Sequence, residues 1–324
     1  MKAILIGCLA SIFFSLTFIL NRSMELEGGS WYWSASLRFF FMVPFLVLIV
    51  WMRGGLADLF VKMRQHPKEW FIWSFVGFVV FYAPITYAAG FGPGWLIAGT
   101  WQTTIVAGLL LAPLFYESIR TTDGVVKKRQ RILLHSLWPS MIILGGVFLV
   151  QLEASTGVTM LILLGSVVPV VVAAFAYPLG NRKMLELVDG SLDTFQRVLG
   201  MTLMSLPWWF VLAGYGFVVD GLPETNQVAQ AFIVALSSGI IATVLFFFAT
   251  NLVRHQPQKL AAVEATQSGA VVFALLGELI FLGGAFPSFI GLFGLLTIVG
   301  GMVIHSFHST KVPSSEKSTT KQIS

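Results

Sequence analysis

The sequence predicts an all-α polytopic membrane protein, with ten transmembrane helices arranged as two inverted five-helix repeats. Composition is the broadest reason. The 324 residues are 56% hydrophobic and 11% charged, with a mean hydropathy of +0.83, whereas a soluble domain carries about 25% charged residues. Apolar stretches near the roughly 20 residues needed to cross hydrocarbon recur along the whole chain. The basic residues also sit in alternate connections, as a chain crossing a bilayer back and forth requires.

The first stretch, 3–20, reads "AILIGCLASIFFSLTFIL". It is longer than a secretory apolar core and runs into "NRS" with no small-residue cleavage site, so it reads as a spanning helix. It holds Cys8, the one cysteine, which excludes an internal disulfide and reads as a small packed residue. Further spans are expected at 32–52, 70–90, 94–115, 132–151, 157–179, 197–214, 229–252, 259–282 and 286–307. Residues 1–153 then form one five-helix repeat and 154–307 the other. The polar tail 308–324, "HSTKVPSSEKSTTKQIS", is expected to be disordered in the cytoplasm.

The connections assign the sides. The second, fourth, sixth and eighth carry Arg53, Lys62, Arg64, Lys68, Arg120, Lys127, Lys128, Arg129, Arg131, Arg182, Lys183, Arg254 and Lys259. With Lys2 and the tail's Lys311, Lys317 and Lys321, that side has 17 basic residues. The other side has one, Arg22, beside Glu25, Glu27, Glu153, Asp220 and Glu224. The positive-inside rule places both termini in the cytoplasm of a multi-pass protein of the cell membrane.

The two remaining basic residues, Arg38 and Arg197, open the second and seventh spans. Equivalent positions five spans apart imply a repeat, and an odd number of spans per repeat inverts it. "GPGWLIAGTWQTTIVAG" and "QPQKLAAVEATQSGAVV" open the fourth and ninth spans, each with a proline and, nine or ten residues on, a glutamine in a polar patch. Paired glycines, Gly145–Gly146 and Gly300–Gly301, mark the fifth and tenth. Inverted repeats are characteristic of secondary transporters, whose site lies near the midplane between the halves. Gln102 and Gln267 are then related by the pseudo-two-fold axis and face one cavity.

"AAVEATQSGAVVFALLGELIFLGG", 261–284, is long enough to span yet carries Glu264, Gln267, Ser268 and Glu278. At roughly 100° per residue these fall on one helix face. Glu264 lies five residues past Lys259, about 7.5 Å along the axis. An ionised carboxylate there is costly unless paired or wet, so the group is the candidate for coupling proton movement to substrate movement; pairing with Lys259 is its structural alternative. Glu278, about 21 Å from Glu264, is a candidate outer gate. Arg38 is a second gate candidate: it could bind an anionic group or pair with Glu25 or Glu27, though structural anchoring is the expected role, since Arg197 echoes it. Tyr82, Tyr87, Trp101 and Phe247 lie inside spans and could form an aromatic wall for organic cations or flat ligands, although single aromatics usually just pack. Trp31, Trp33, Trp70, Trp95 and Trp138 sit at span ends, as interfacial anchors do.

The pattern resembles the drug/metabolite transporter superfamily, and within it the multidrug-resistance efflux type. The resemblance covers about residues 3–307. It rests on ten short-looped spans, the arginines in "SLRFFF" and "FQRVLG", the glycine-rich fifth and tenth spans, and the acidic residues of "LFYES" and "LLGEL". It implies a secondary transporter exporting small organic molecules by proton-coupled antiport, with a facilitator or exchanger as the alternative. A phosphate-binding loop is missing from the sequence, so ATP hydrolysis is not the expected drive. "GFGPG" follows no strand, and "HSFH" offers two histidines, too few for a metal site. An intramembrane lipid or prenyl transferase is the enzymatic alternative, but its only acidic spacing is "DGSLD", Asp189 and Asp193, and no nucleophile elbow accompanies it. No enzyme activity, cofactor, metal or nucleic-acid partner is expected; the expected partners are a small-molecule substrate and membrane lipid. The sequence sets no oligomeric state.

Overall fold

The computed structural model describes residues 1–121, 124–129, 137–155, 160–253, 263 and 266–308. Glu264 and the expected tail beyond residue 308 lie outside the described residues. In chain order the helices are α1 (Lys2–Leu26), α2 (Trp31–Met52), α3 (Leu56–Gln65), α4 (Pro67–Ser74) and α5 (Val80–Ala89), the last two joined through a π-helical turn at Phe75–Val79. Then come α6 (Gly94–Trp101), α7 (Thr103–Leu110), α8 (Leu137–Ser155), α9 (Met160–Val188) and α10 (Thr194–Asp220). A second π-helical turn, Ala235–Ile241, joins α11 (Thr225–Val234) to α12 (Ala242–Leu252). A 3₁₀ turn at Thr266–Ser268 leads into α13 (Gly269–Phe281), and α14 (Phe289–His308) follows.

Among the described residues, six helical runs are long and apolar enough to cross a membrane: α1, α2, α4–α5, α9, α10 and α11–α12. Shorter apolar helices cover Trp138–Glu153, Thr266–Phe281 and Phe289–His305. Large apolar side chains cover the outside; Val218 and Phe289 are each 83% exposed and Leu161 79%. Such a surface suits hydrocarbon rather than water. The chain is therefore a multi-span membrane protein.

The structure corrects several sequence expectations. The helical expectation holds for the described apolar runs, and one connection adds a hairpin, in which β1 (Tyr116–Thr121) pairs antiparallel with β2 (Gly124–Arg129), Tyr116 opposite Arg129 and Thr121 opposite Gly124. β-branched Ile119, Thr121, Val125 and Val126 favour strands there. The basic loop after α2 contains the amphipathic α3, which buries Leu59 and Met63 and turns Phe60 and Val61 outward, the habit of an interfacial helix. The 94–115 span is not one continuous helix but α6 and α7, interrupted at Gln102. Hydropathy ends α1 near residue 20, yet the helix runs to Leu26, because Asn21, Ser23 and Met24 are buried by neighbouring helices. In the same way α9 extends past residue 179 to Val188, burying Met184 and Val188.

Helix packing has a paired character. α8 lies along α14, where a Cβ on Gly146 would fall 2.8 Å from the Gly294 carbonyl oxygen, so only glycine permits the approach. α2 lies along α10, with Phe39 stacked on Trp209 at 4.4 Å. α5 packs on α9, and α1 packs on α12. The start of α10 is closed by a capping box: the Asp193 carboxylate accepts from Gln196 N at 2.8 Å, and Gln196 Oε1 accepts from Asp193 N at 2.7 Å. Asp193 also pairs with Arg53 at 2.9 Å. The one acidic spacing that suggested an enzyme thus contributes a helix cap.

Candidate functional site

Inside the bundle is a cavity of about 210 Å³. Residues of α1, α2, α5, α6, α7, α9, α10, α12 and α13, of both π-helical turns, and of the polar turns at Gln102 and Gln267 line it. The two turns are where the helices depart from α geometry. Gln102 separates α6 from α7 and Gln267 is the centre of the 3₁₀ turn before α13. A glutamine at a break can offer its amide to the cavity while the backbone around it is re-satisfied locally. Gln102 Nε2 donates to the Ala98 carbonyl at 3.0 Å. The π-helical turns bring Phe78 and the pair Ser238–Gly239 to the wall, and Thr17 donates to Ser238 Oγ at 2.6 Å across α1 and the second turn.

One wall is aromatic. Phe81 lies 4.8 Å from Tyr177 and 5.1 Å from Trp101, and Trp101 is 5.5 Å from Tyr177, all between ring centroids. The lining is also cationic. Arg38 and Arg197 both line the cavity and are only 8% and 9% exposed. Neither makes a hydrogen bond or ion pair with any described residue, and the Nε of each is buried without a partner. Arg38 lies over the Tyr82 ring at 4.0 Å from the centroid. The Tyr177 hydroxyl is within electrostatic range of both guanidinium groups. Among the described lining residues no carboxylate balances them.

The residues singled out from the sequence separate into groups. Gln102, Gln267, Trp101 and Arg38 come together at the cavity. Tyr82 is fully buried behind Arg38, outside the lining, with Asn21 Nδ2 3.3 Å from its hydroxyl. Tyr87 is 36% exposed and packs edge-on to Trp31 at 5.5 Å, away from the cavity. Phe247 belongs to α12; its side chain, like all of Glu264, lies outside the description. Glu278 is buried outside the cavity lining, accepting from Trp95 N at 3.3 Å. It lines a second hollow of about 360 Å³ with Arg22, Glu153 and Pro287. There Arg22 donates to the Ala89 carbonyl at 2.8 Å and Glu153 accepts from Ser288 N at 2.7 Å.

Sequence reasoning gave Arg197 only a structural role and did not single out Tyr177 or Asn181. The last two are four residues apart on α9, hence on one face, and that spacing of polar groups near a span end is the signal that could have found them.

The family model described as "EmrE: Putative multidrug resistance efflux transporter" matches residues 1–311. The chain is 64% identical over 309 residues to "Uncharacterized protein YjlA" of Bacillus subtilis (strain 168), covering 95% of each. It is 57% identical over 269 residues to "Uncharacterized 42.1 kDa protein in intracellular alkaline protease 3'region" of Shouchella clausii, covering 83% of this chain and 70% of that one. A solved crystal structure, 13% identical, superimposes over 96% of this chain and 98% of its own with a TM-score of 0.62. At that identity the likeness concerns the fold alone.

Proposed function

This chain belongs to the EmrE multidrug resistance efflux transporter family, a family of transporters rather than enzymes, and from that premise we propose that it exports small organic molecules through the central cavity. The observation that carries the reading is the cavity itself: an internal, partly polar chamber at a helix break and a 3₁₀ turn, in a chain with a lipid-facing exterior. Discontinuous helices at a central site are how membrane transporters expose backbone and side-chain polar groups to a substrate.

The architecture in this reading is ten spans in two inverted repeats, 1–153 and 154–307. Several observations support it. The third and eighth expected spans each contain a π-helical turn, the fourth breaks at Gln102, and Gln267 of the ninth sits in a 3₁₀ turn. The packing of α5 on α9 has its counterpart in α1 on α12, as exchange of the two halves demands. Both termini face the cytoplasm of the cell membrane, a reading supported by the distribution of 17 basic residues against one.

Proton-coupled antiport is the first coupling mode, with Glu264 loading the proton and Gln102, Gln267 and Trp101 contacting substrate. Purified protein in liposomes with an interior pH dye tests it. Glu264→Gln keeps shape and hydrogen bonding but removes the ionised form. Proton-driven accumulation should fall by roughly tenfold or more while substrate-for-substrate exchange persists. Unchanged pH-driven accumulation would exclude Glu264 as the coupling group. The two unbalanced arginines favour a second mode, exchange or facilitated export without protons, since an arginine does not release its proton in the working pH range. Absence of flux for aromatic cations, aromatic carboxylates and amino acids alike would sink the transporter reading.

A further inference from the structure

We propose that the central cavity takes a small organic anion, its carboxylate or phosphate held by Arg38 and Arg197 and its flat apolar part lying against Phe81, Trp101 and Tyr177. The inference rests on the transporter reading and narrows its substrate.

The two arginines are costly where they stand. A buried charge is strongly unfavourable unless paired and hydrogen-bonded. Most cationic side chains of the bundle are satisfied: Arg22 on the Ala89 carbonyl, Arg182 on the Gly108 carbonyl, and Lys183 on Glu186. Arg38 and Arg197, more deeply buried than these, have no polar partner among the described residues. Both line the same cavity, and Tyr177 senses both charges. Two guanidinium groups lining one chamber offer an oxyanion its donors, because planar N–H pairs match carboxylate and phosphate geometry.

Their placement is built rather than incidental. Arg38 shares its α2 face with buried Ala35, Phe39, Met42 and Leu46, so helix packing drives it inward. The Tyr82 ring beneath it supplies a cation–π contact at 4.0 Å without neutralising the charge. Arg197 follows directly on Gln196, whose side chain is committed to the cap and to the Gly55 carbonyl at 2.8 Å, which holds the start of α10 in register. A cavity of about 210 Å³ is small beside the roughly 300–1,000 Å³ of drug-sized pockets, so the ligand is compact.

The sign of the site also bears on energy. An organic cation must be pushed out of a cell whose interior is negative. A monoanion is driven out by the membrane potential alone, which favours it outside by roughly 50-fold per 100 mV at equilibrium. Export of an anion therefore needs no proton antiport.

Binding and flux of three probes of one shape test the assignment: 1-naphthoate, 1-naphthyl phosphate and 1-naphthyltrimethylammonium. Binding is measured on the full-length protein in detergent. Flux is measured from loaded proteoliposomes, with the potential set by potassium and valinomycin. At least one anion should bind saturably and leave faster when the interior is negative, and the carboxylate and phosphate arms identify the head group. Arg38→Gln and Arg197→Gln should each weaken anion binding by roughly tenfold or more, with Arg38→Lys recovering part of it. Should the glutamine variants fail to fold, the selectivity and potential dependence of the unaltered protein decide. Binding and movement of the ammonium probe but of neither anion overturns the anion site and leaves the transporter reading standing. Saturable anion binding with no flux of any probe keeps the site and removes the transporter reading. No binding of either anion overturns the proposal.

Discussion

Arg38 occupies a position where hydrophobic packing and charge oppose one another. Its neighbours on the same helix face are core residues, yet its own head group needs a polar partner. Tyr82 relieves the conflict partly by presenting its ring at 4.0 Å while its hydroxyl meets Asn21. A cation–π contact of this kind contributes about 0.5–2 kcal/mol. Tyr82→Leu should accordingly weaken binding of 1-naphthoate by about threefold to tenfold, and Tyr82→Phe, which keeps the ring, should change it less than about twofold. Equal losses for both variants in a direct titration would assign the role to the hydroxyl instead. The sequence marked Tyr82 as a candidate cavity aromatic; its contribution in the structure runs through Arg38, because one residue of rotation on a helix moves a side chain by about 100°.

At the scale of elements, the two π-helical turns matter most. A π turn widens the helix by one residue and redirects the side chains that follow. Phe75–Val79 does this beside α9, where Gly77 and Gly180 bring two backbones into contact. A Cβ on Gly180 would collide with the Gly77 backbone and sit 2.9 Å from the Trp73 carbonyl oxygen. Neither obstacle is a flexible side-chain end. Gly180→Ala should therefore destabilise the protein by about 1–3 kcal/mol or more through overpacking, seen as a lowered unfolding temperature in detergent. Gly145→Ala, whose added methyl meets open space, is the matched control and should leave that temperature within about a degree or two. Periodicity cannot reveal such turns, since a one-residue insertion into a uniformly apolar helix leaves the hydropathy unchanged. The break at Gln102 is similar: the polar patch "WQTT" was legible, but not that it ends one helix and begins another.

At the scale of the molecule, the distribution of basic residues predicts topology. With Cys8 replaced by serine to remove the one native thiol, single cysteines at Leu26, which is exposed, and Glu224 should react with an impermeant maleimide on intact cells. Cysteines at Gln65 and Asp189 should react only after permeabilisation. External labelling of the second pair would reverse the orientation. The structure is consistent with each pair sharing an end of the bundle. Asn226 and Gln230, in the helix that follows Glu224, donate to Glu27, next to Leu26. Arg53 and Gln196 join the loop before α3, the helix that Gln65 ends, to the start of α10, which follows Asp189.

By itself the sequence determined that this is a multi-span helical membrane protein, since hydrophobic length and the side preference of basic residues are additive properties that need no knowledge of packing; its transporter character followed from the repeat pattern and the family resemblance. It also pointed to Gln102 and Gln267, because a polar amide inside an apolar stretch is conspicuous without coordinates. Only the tertiary structure decided that Arg38 and Arg197 enter the same cavity without a carboxylate among its described lining, that Tyr82 and Tyr87 stay off its wall, and that Tyr177 and Phe81 build it. Those facts depend on the rotation and crossing of helices far apart in the chain. Helix rotation is set by close packing at residues such as Gly77, Gly180 and Gly146, where a contact between two backbones has no signature in either segment alone.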